Sequence, residues 1–187
     1  MSTGRTPIER VREPHTGGPF TMRKFLLDES VAAAARDSAM PNEIDLRSCA
    51  QVHFSSEHPQ HPVDHLFDGS GGETSSGWVG GRRDRAETLL LVFDQPTNIA
   101  SCAFEVVERE ITRTQQVTAE YLLQDDKAYR TSFIQEFNFA PDGATHQREL
   151  MELNLRGVCR FRLTLLADKS GRGVPSLKAL RLFSFPL

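Results

Sequence analysis

From residue 44 onward the chain repeats with a period of two. Val117/Ala119/Tyr121/Leu123, Phe133/Phe137/Phe139, Met151/Leu153/Leu155 and Phe161/Leu163/Leu165 each alternate with polar neighbours. Successive side chains of a strand point to opposite faces, so this pattern predicts half-buried strands. Strand-length segments lie at 86–93, 99–108, 115–123, 132–139, 149–155, 158–167 and 176–185. Turn residues punctuate them at Asp94-Gln95-Pro96, Pro141-Asp142-Gly143, Arg156-Gly157 and Ser170-Gly171-Arg172-Gly173. About eight short strands with no helix between them predict an all-β fold, an antiparallel β-sandwich or jelly roll. One polar face per strand places a single core between two sheets. The expected core includes Phe54, Trp78, Leu91, Phe104, Val106, Phe137, Phe161, Leu163 and Leu182.

The N-terminal 43 residues differ in kind. Residues 1–24 hold five Lys/Arg against two Asp/Glu, three prolines and a Gly17-Gly18 pair, with no apolar period. Such a segment buries too little to offset its ordering entropy and reads as a flexible arm. Residues 28–39 predict a short helix, with Asp28 or Ser30 as N-cap, an alanine run, and Met40-Pro41 as its stop. That helix either lies on the domain or docks on another protein. The organisation is thus an arm over 1–43 and a sandwich over 44–187.

Charge and cysteine content narrow the function classes. Twenty-two Lys/Arg against 25 Asp/Glu give a net charge of −3, without the basic excess that nucleic-acid binding needs. No run approaches the ~20 apolar residues of a membrane-spanning helix. The N-terminus carries no apolar signal segment, which predicts a cytoplasmic location. Three widely spaced cysteines, Cys49, Cys102 and Cys159, form no CxxC and indicate neither a disulfide framework nor a cysteine zinc site.

The stretch Val52-His53-Phe54-Ser55-Ser56, then His61-Pro62-Val63-Asp64-His65-Leu66-Phe67-Asp68-Gly69 and Gly77-Trp78, resembles the opening of the galactose-binding-domain-like superfamily. That group includes the discoidin (F5/8 type C) domains and many carbohydrate-binding modules. The segment Pro175–Phe183 is similar to its closing strand. The resemblance spans roughly 44–185 and departs from the family at the insertion Ser70–Gly77. It implies the sandwich fold and is nearly silent on the ligand.

The resemblance also implies a structural calcium ion near Asp68, with Glu73 adding a carboxylate and Thr74, Ser75 or Ser76 a hydroxyl. Calcium takes six to eight hard oxygens, which a loop can supply. The alternative is that Asp68 caps its own turn while Gly69 supplies a positive φ. No other cofactor is expected. His58, His61 and His65 have helical zinc-ligand spacing, but Pro59 and Pro62 forbid a regular helix, so they read as polar loop residues. Trp78 is either a sugar-stacking plane or core; its place in the family motif points to the core.

Gly80-Gly81-Arg82-Arg83-Asp84-Arg85 is the densest charge feature, and Arg109 and Arg113 flank it from the turn after 99–108. Guanidinium forks bind carboxylate, phosphate or sulfate, or else they pair with surface Glu108 and Glu110. No GxSxG, paired-carboxylate or phosphate-loop motif is present, so no residue is assigned a catalytic role and the chain is not expected to be an enzyme.

Two functions follow. One is a noncatalytic interaction or structural subunit whose arm docks on a protein partner or a second copy through Phe20, Phe25, Leu26 and Leu27. The alternative is a carbohydrate-binding module that takes a glycan or small anion at the loop end, with His58, His61, Arg82, Arg83, Arg85, Arg109 and Arg113 facing it. Missing secretion signals and scarce aromatics favour the first.

Overall fold

A computed structural model describes residues 23–26, 42–69 and 76–186. The helix expected over 28–39 lies outside the described residues, as do Phe20 and Leu27. Among the described residues nine strands form: β1 (Lys24–Leu26), β2 (Ala50–Phe54), β3 (Trp78–Val79), β4 (Glu87–Val107), β5 (Arg113–Leu123), β6 (Arg130–Phe139), β7 (His146–Leu166), β8 (Ser176–Leu177) and β9 (Ala179–Phe183). One turn of helix, α1 (Leu46–Cys49), leads into β2 among the described residues, and a 3-10 turn spans Val63–Leu66.

The expected strands 86–93 and 99–108 are one continuous strand, β4, and 149–155 and 158–167 are one strand, β7. These two pair antiparallel along their length, from Glu87↔Leu165 to Val107↔His146, with register shifts between Val92 and Ser101. The punctuation at Pro96 and Gly157 therefore marks a bend shared by two paired strands rather than two chain reversals. Pro96 falls where β4 has no ladder partner on β7, so its missing N–H disrupts no bond. Gly157 adopts φ +69° and its N–H donates to Asn98 Oδ1 at 3.0 Å across the same bend.

The bend folds the ribbon over itself and makes the sandwich. The first half of β4 and the second half of β7 lie in the layer ordered β1-β2-β4-β7-β5-β6. The other halves pair with each other and with β9, from Ser101↔Phe183 to Glu105↔Ala179. Phe104 in this second layer stacks on Phe133 of β6 at 5.7 Å and meets Phe137 edge-on at 5.6 Å, so the rings bridge the two layers. All nine expected core residues are buried. β3 and β8 form a small separate pair at one end.

Two pieces of the expected arm, Lys24–Leu26 and the residues 42–43 that lead into Ile44, pair with strands of the sandwich. β1 pairs parallel with β2, Lys24 opposite Val52 and Leu26 opposite Phe54. Asn42–Ile44 run along β9, where Ile44 N–H donates to Leu182 O at 2.8 Å and Ser184 N–H to Asn42 O at 2.8 Å.

The ring cluster sets a stability test. Phe104→Ala removes the side chain that touches both layers and is expected to cost about 3–5 kcal/mol in denaturant unfolding with an unchanged m value. A loss below 1 kcal/mol would show that the layers are held elsewhere.

Candidate functional site at the loop end

Both ends of the folded ribbon emerge at the same end of the sandwich, and the connecting loops meet there. His58 N–H donates to Val79 O at 2.8 Å, Gly80 N–H to Pro175 O at 3.0 Å, Asp84 N–H to Gly173 O at 2.7 Å, and Glu108 N–H to Thr145 O at 2.9 Å. Loops 55–69, 80–86, 108–112, 140–145 and 167–175 thus form one surface.

Glu87, the first residue of β4, anchors it. Its side chain is fully buried. Oε1 accepts from Ser56 Oγ at 2.6 Å and Arg82 Nε at 3.1 Å; Oε2 accepts from Arg82 Nη2 at 3.0 Å and from Ser55 Oγ. Burial pushes the carboxyl pKa up, but the hydrogen bonds from Arg82, Ser55 and Ser56 together outweigh it and hold the group below the usual glutamate range. Ser56 Oγ also accepts from Gly81 N–H at 2.8 Å, and Ser56 O from the Trp78 indole N–H at 3.2 Å. The glycines are required by space: a Cβ at Gly80 would lie 2.8 Å from Glu87 Cγ, and one at Gly81 2.7 Å from Glu57 O.

Two of the expected ligand arginines are held by acidic partners. Arg82 is engaged by Glu87. Arg113 is buried, donates to Val174 O at 2.9 Å, and sits 2.8 Å from Glu108 Oε2 in an ion pair. Burial lowers its pKa, and the charges of Glu108 and Asp168 oppose that shift. Its role is to tie β5 to the β8 approach, where Gln115 Nε2 also donates to Ser176 O at 2.8 Å. The signal was present in the sequence: Arg113 and Gln115 continue the inward alternation of Val117 and Ala119.

Arg83, Arg85 and Arg109 are exposed on this surface. Arg83 and Arg85 flank Asp84, which holds φ +59° and accepts from Gly173 N–H at 2.7 Å. The loop bearing them is therefore fastened on both flanks, by Arg82 to Glu87 and by Asp84 to Gly173. Lys178, which the sequence patterns did not single out, joins the surface from between β8 and β9. Its Nζ donates to Ser76 O at 3.3 Å, and burial first, then the charge of Arg109, lowers its pKa.

The histidines staple loops. His61 Nδ1 donates to Ser76 O and His65 Nδ1 to Gly77 O, each at 3.2 Å. His58 Nδ1 accepts from Gln60 N–H at 3.3 Å, and its ring lies 5.6 Å from that of His61. Among the described residues no three His, Cys, Asp or Glu side chains converge as a metal site. Asp68 is exposed just after the 3-10 turn, and Glu73 and Thr74 lie outside the described residues, so the expected calcium set is described only at Asp68. Trp78 is core.

Two depressed carboxylates give the site an acid signature. Hydrogen bonds from the Ser170 hydroxyl and from the N–H groups of Thr114 and Ser170 bring Asp168 down to about 2. A carboxyl with a lowered folded pKa contributes stability that is complete above its unfolded value and is lost as pH falls through the folded one. Tm is therefore expected to be level from neutrality to about pH 5 and to fall below about pH 4. Glu87→Gln should lose about 1.5–3 kcal/mol at pH 7 and flatten part of that acid limb, read by thermal melts across pH. An unchanged acid limb would remove Glu87 from this role.

No protein-family model matches the chain, and no curated protein matches it in sequence. Solved structures do resemble it. The F5/8 type C domain of a Bacteroides fragilis protein is 17% identical over 78% of this chain and 97% of that one, with a TM-score of 0.52. A family 32 carbohydrate-binding module from Clostridium perfringens NanJ, solved with galactose, is 11% identical over 76% of this chain and 98% of that one, with a TM-score of 0.53. Allantoicase is 17% identical over 73% of this chain at a TM-score of 0.52, and this chain covers 41% of it. Bent ribbon, two layers and gathered loops together make this the galactose-binding-domain-like, F5/8 type C β-sandwich fold.

Proposed function

We propose that the chain is a noncatalytic binding module whose loop end takes a glycan bearing an anionic group. The observation that carries this reading is the doubly fastened loop 80–86, which presents Arg83 and Arg85 to solvent. A loop held in place before binding loses little entropy when it binds. Guanidinium forks match carboxylate and sulfate geometry. Among the described residues this surface shows no Trp or Tyr plane: Trp78 is buried, and Tyr121 and Tyr129 lie on β5 and in the β5–β6 loop, away from it. Charge therefore takes the role that an aromatic plane would otherwise have. The likeness to carbohydrate-binding modules solved with galactose and with GalNAc-β-1,3-galactose supports a sugar as the ligand class.

A second reading keeps the sandwich as a scaffold whose N-terminal arm docks on a protein partner, and the missing aromatic platform favours it. Pull-down with the full chain and with residues 44–187 separates the two, because only arm-mediated binding is lost on truncation.

Glycan-array screening followed by calorimetry tests the first reading. Uronate- or sulfate-bearing glycans are expected to bind better than neutral galactose. Arg83→Ala/Arg85→Ala should weaken that binding at least tenfold, about 1.4 kcal/mol, without moving Tm. Binding indifferent to the double variant, or no glycan bound at all, would overturn it.

A further inference from the structure

We propose that the edge of β2 is a strand-acceptor groove for an extended segment of a partner protein that carries two consecutive basic residues, and that residues 23–26 of the chain occupy it as a competitor in cis. The sheet has two edges. At the β6 edge no further strand follows among the described residues. At the β2 edge sits β1, an addition of three residues in parallel register.

The way β1 is held shows what the groove reads. Val52 N–H donates to Arg23 O at 2.7 Å, so backbone pairing sets the register. The two basic side chains then reach in opposite directions along the edge. Arg23 Nη2 meets Asp94 Oδ2 at 2.5 Å, at the β4 bend, while Lys24 Nζ lies 3.3 Å from Glu57 Oε1 and also pairs with Asp64. Three carboxylates, Asp94 from the β4 bend and Glu57 and Asp64 from the 55–69 loop, thus line one strand edge, which is charge complementarity to an adjacent basic pair.

Among the described residues the occupant is incomplete. β2 has five residues, and β1 pairs only with its last three, Val52, His53 and Phe54. The carbonyl of Ala50, further along the edge, is taken by Arg23 Nε at 3.1 Å rather than by a strand N–H. The ion pairs are partly open to solvent, where such pairs contribute little. A longer strand with the same two charges pairs along the whole edge and adds backbone bonds that β1 lacks, the usual gain in strand addition. Glu57 couples the groove to the loop end, since its Oε2 accepts from Val63 N–H at 2.8 Å and its backbone abuts Gly81.

The test uses the full chain and a labelled peptide of sequence FTMRKFLLD, read by fluorescence anisotropy. Arg23→Glu/Lys24→Glu removes the cis competitor and leaves the acceptor intact; Arg23→Ala/Lys24→Ala serves if charge reversal lowers Tm. The peptide is expected to bind the variant at least tenfold more tightly than the unsubstituted chain, and a peptide with Glu at both basic positions is expected not to bind. Equal binding to both proteins, or none to either variant, would overturn the proposal. So would a concentration-dependent dimer of the unsubstituted chain that the variant abolishes, because the occupant would then be a second copy.

Discussion

The antiparallel ladder between β4 and β7 is the contact on which the remaining strands depend. It joins segments remote in sequence, Glu87 opposite Leu165, and its bend decides which halves face each other across the core. β2 and β9 pair with opposite halves of β4, and β5 pairs with β7 and carries β6. Without the register shifts between Val92 and Ser101, the ribbon would run straight and expose the inner faces of Leu91 and Phe104 to water. A bulged, locally unpaired stretch is how a long antiparallel pair turns a corner.

A second constraint is electrostatic. A buried carboxylate costs free energy unless it is satisfied, and Glu87 is satisfied by groups drawn from both the β2 exit and the 80–86 loop. Because breaking any one of these contacts leaves a buried acceptor short of donors, the loop conformation and the protonation state of Glu87 are tied together. The exposed arginines next to it inherit that rigidity. The proposed binding surface thus rests on a buried charge beneath it.

Much of the fold was legible in the sequence, and the reasons differ by element. Alternation along 113–123 and 158–167 placed the core, since period two maps directly onto faces. It did not show that two pairs of segments were continuous strands, because Pro96 and Gly157 read locally as turns and only their mutual pairing reveals a bend. The site was legible in part. Clustered Arg83 and Arg85 are exposed as expected, whereas Arg82 and Arg113 pair with Glu87 and Glu108, acidic partners that local charge density does not identify. Lys178 carried no signal, since a lone lysine between two short strands looks like any surface residue. Three paired residues are too short to show a period, so β1 has no signature within the arm's sequence.

The nesting of one hairpin inside another has a kinetic side. β5 and β6 form a local antiparallel pair, from Arg113↔Phe139 to Tyr121↔Arg130, and lie entirely within the connection between β4 and β7. Closing the central ladder first would mean restraining a long loose chain, whereas a formed hairpin shortens that loop before its ends meet. Folding of such a topology is slow because its governing contacts are remote in sequence. The chain therefore has a natural order of events, in which the most local pair of strands prepares the least local one, and Phe133 and Phe137 on that early hairpin await Phe104 as the last layer closes.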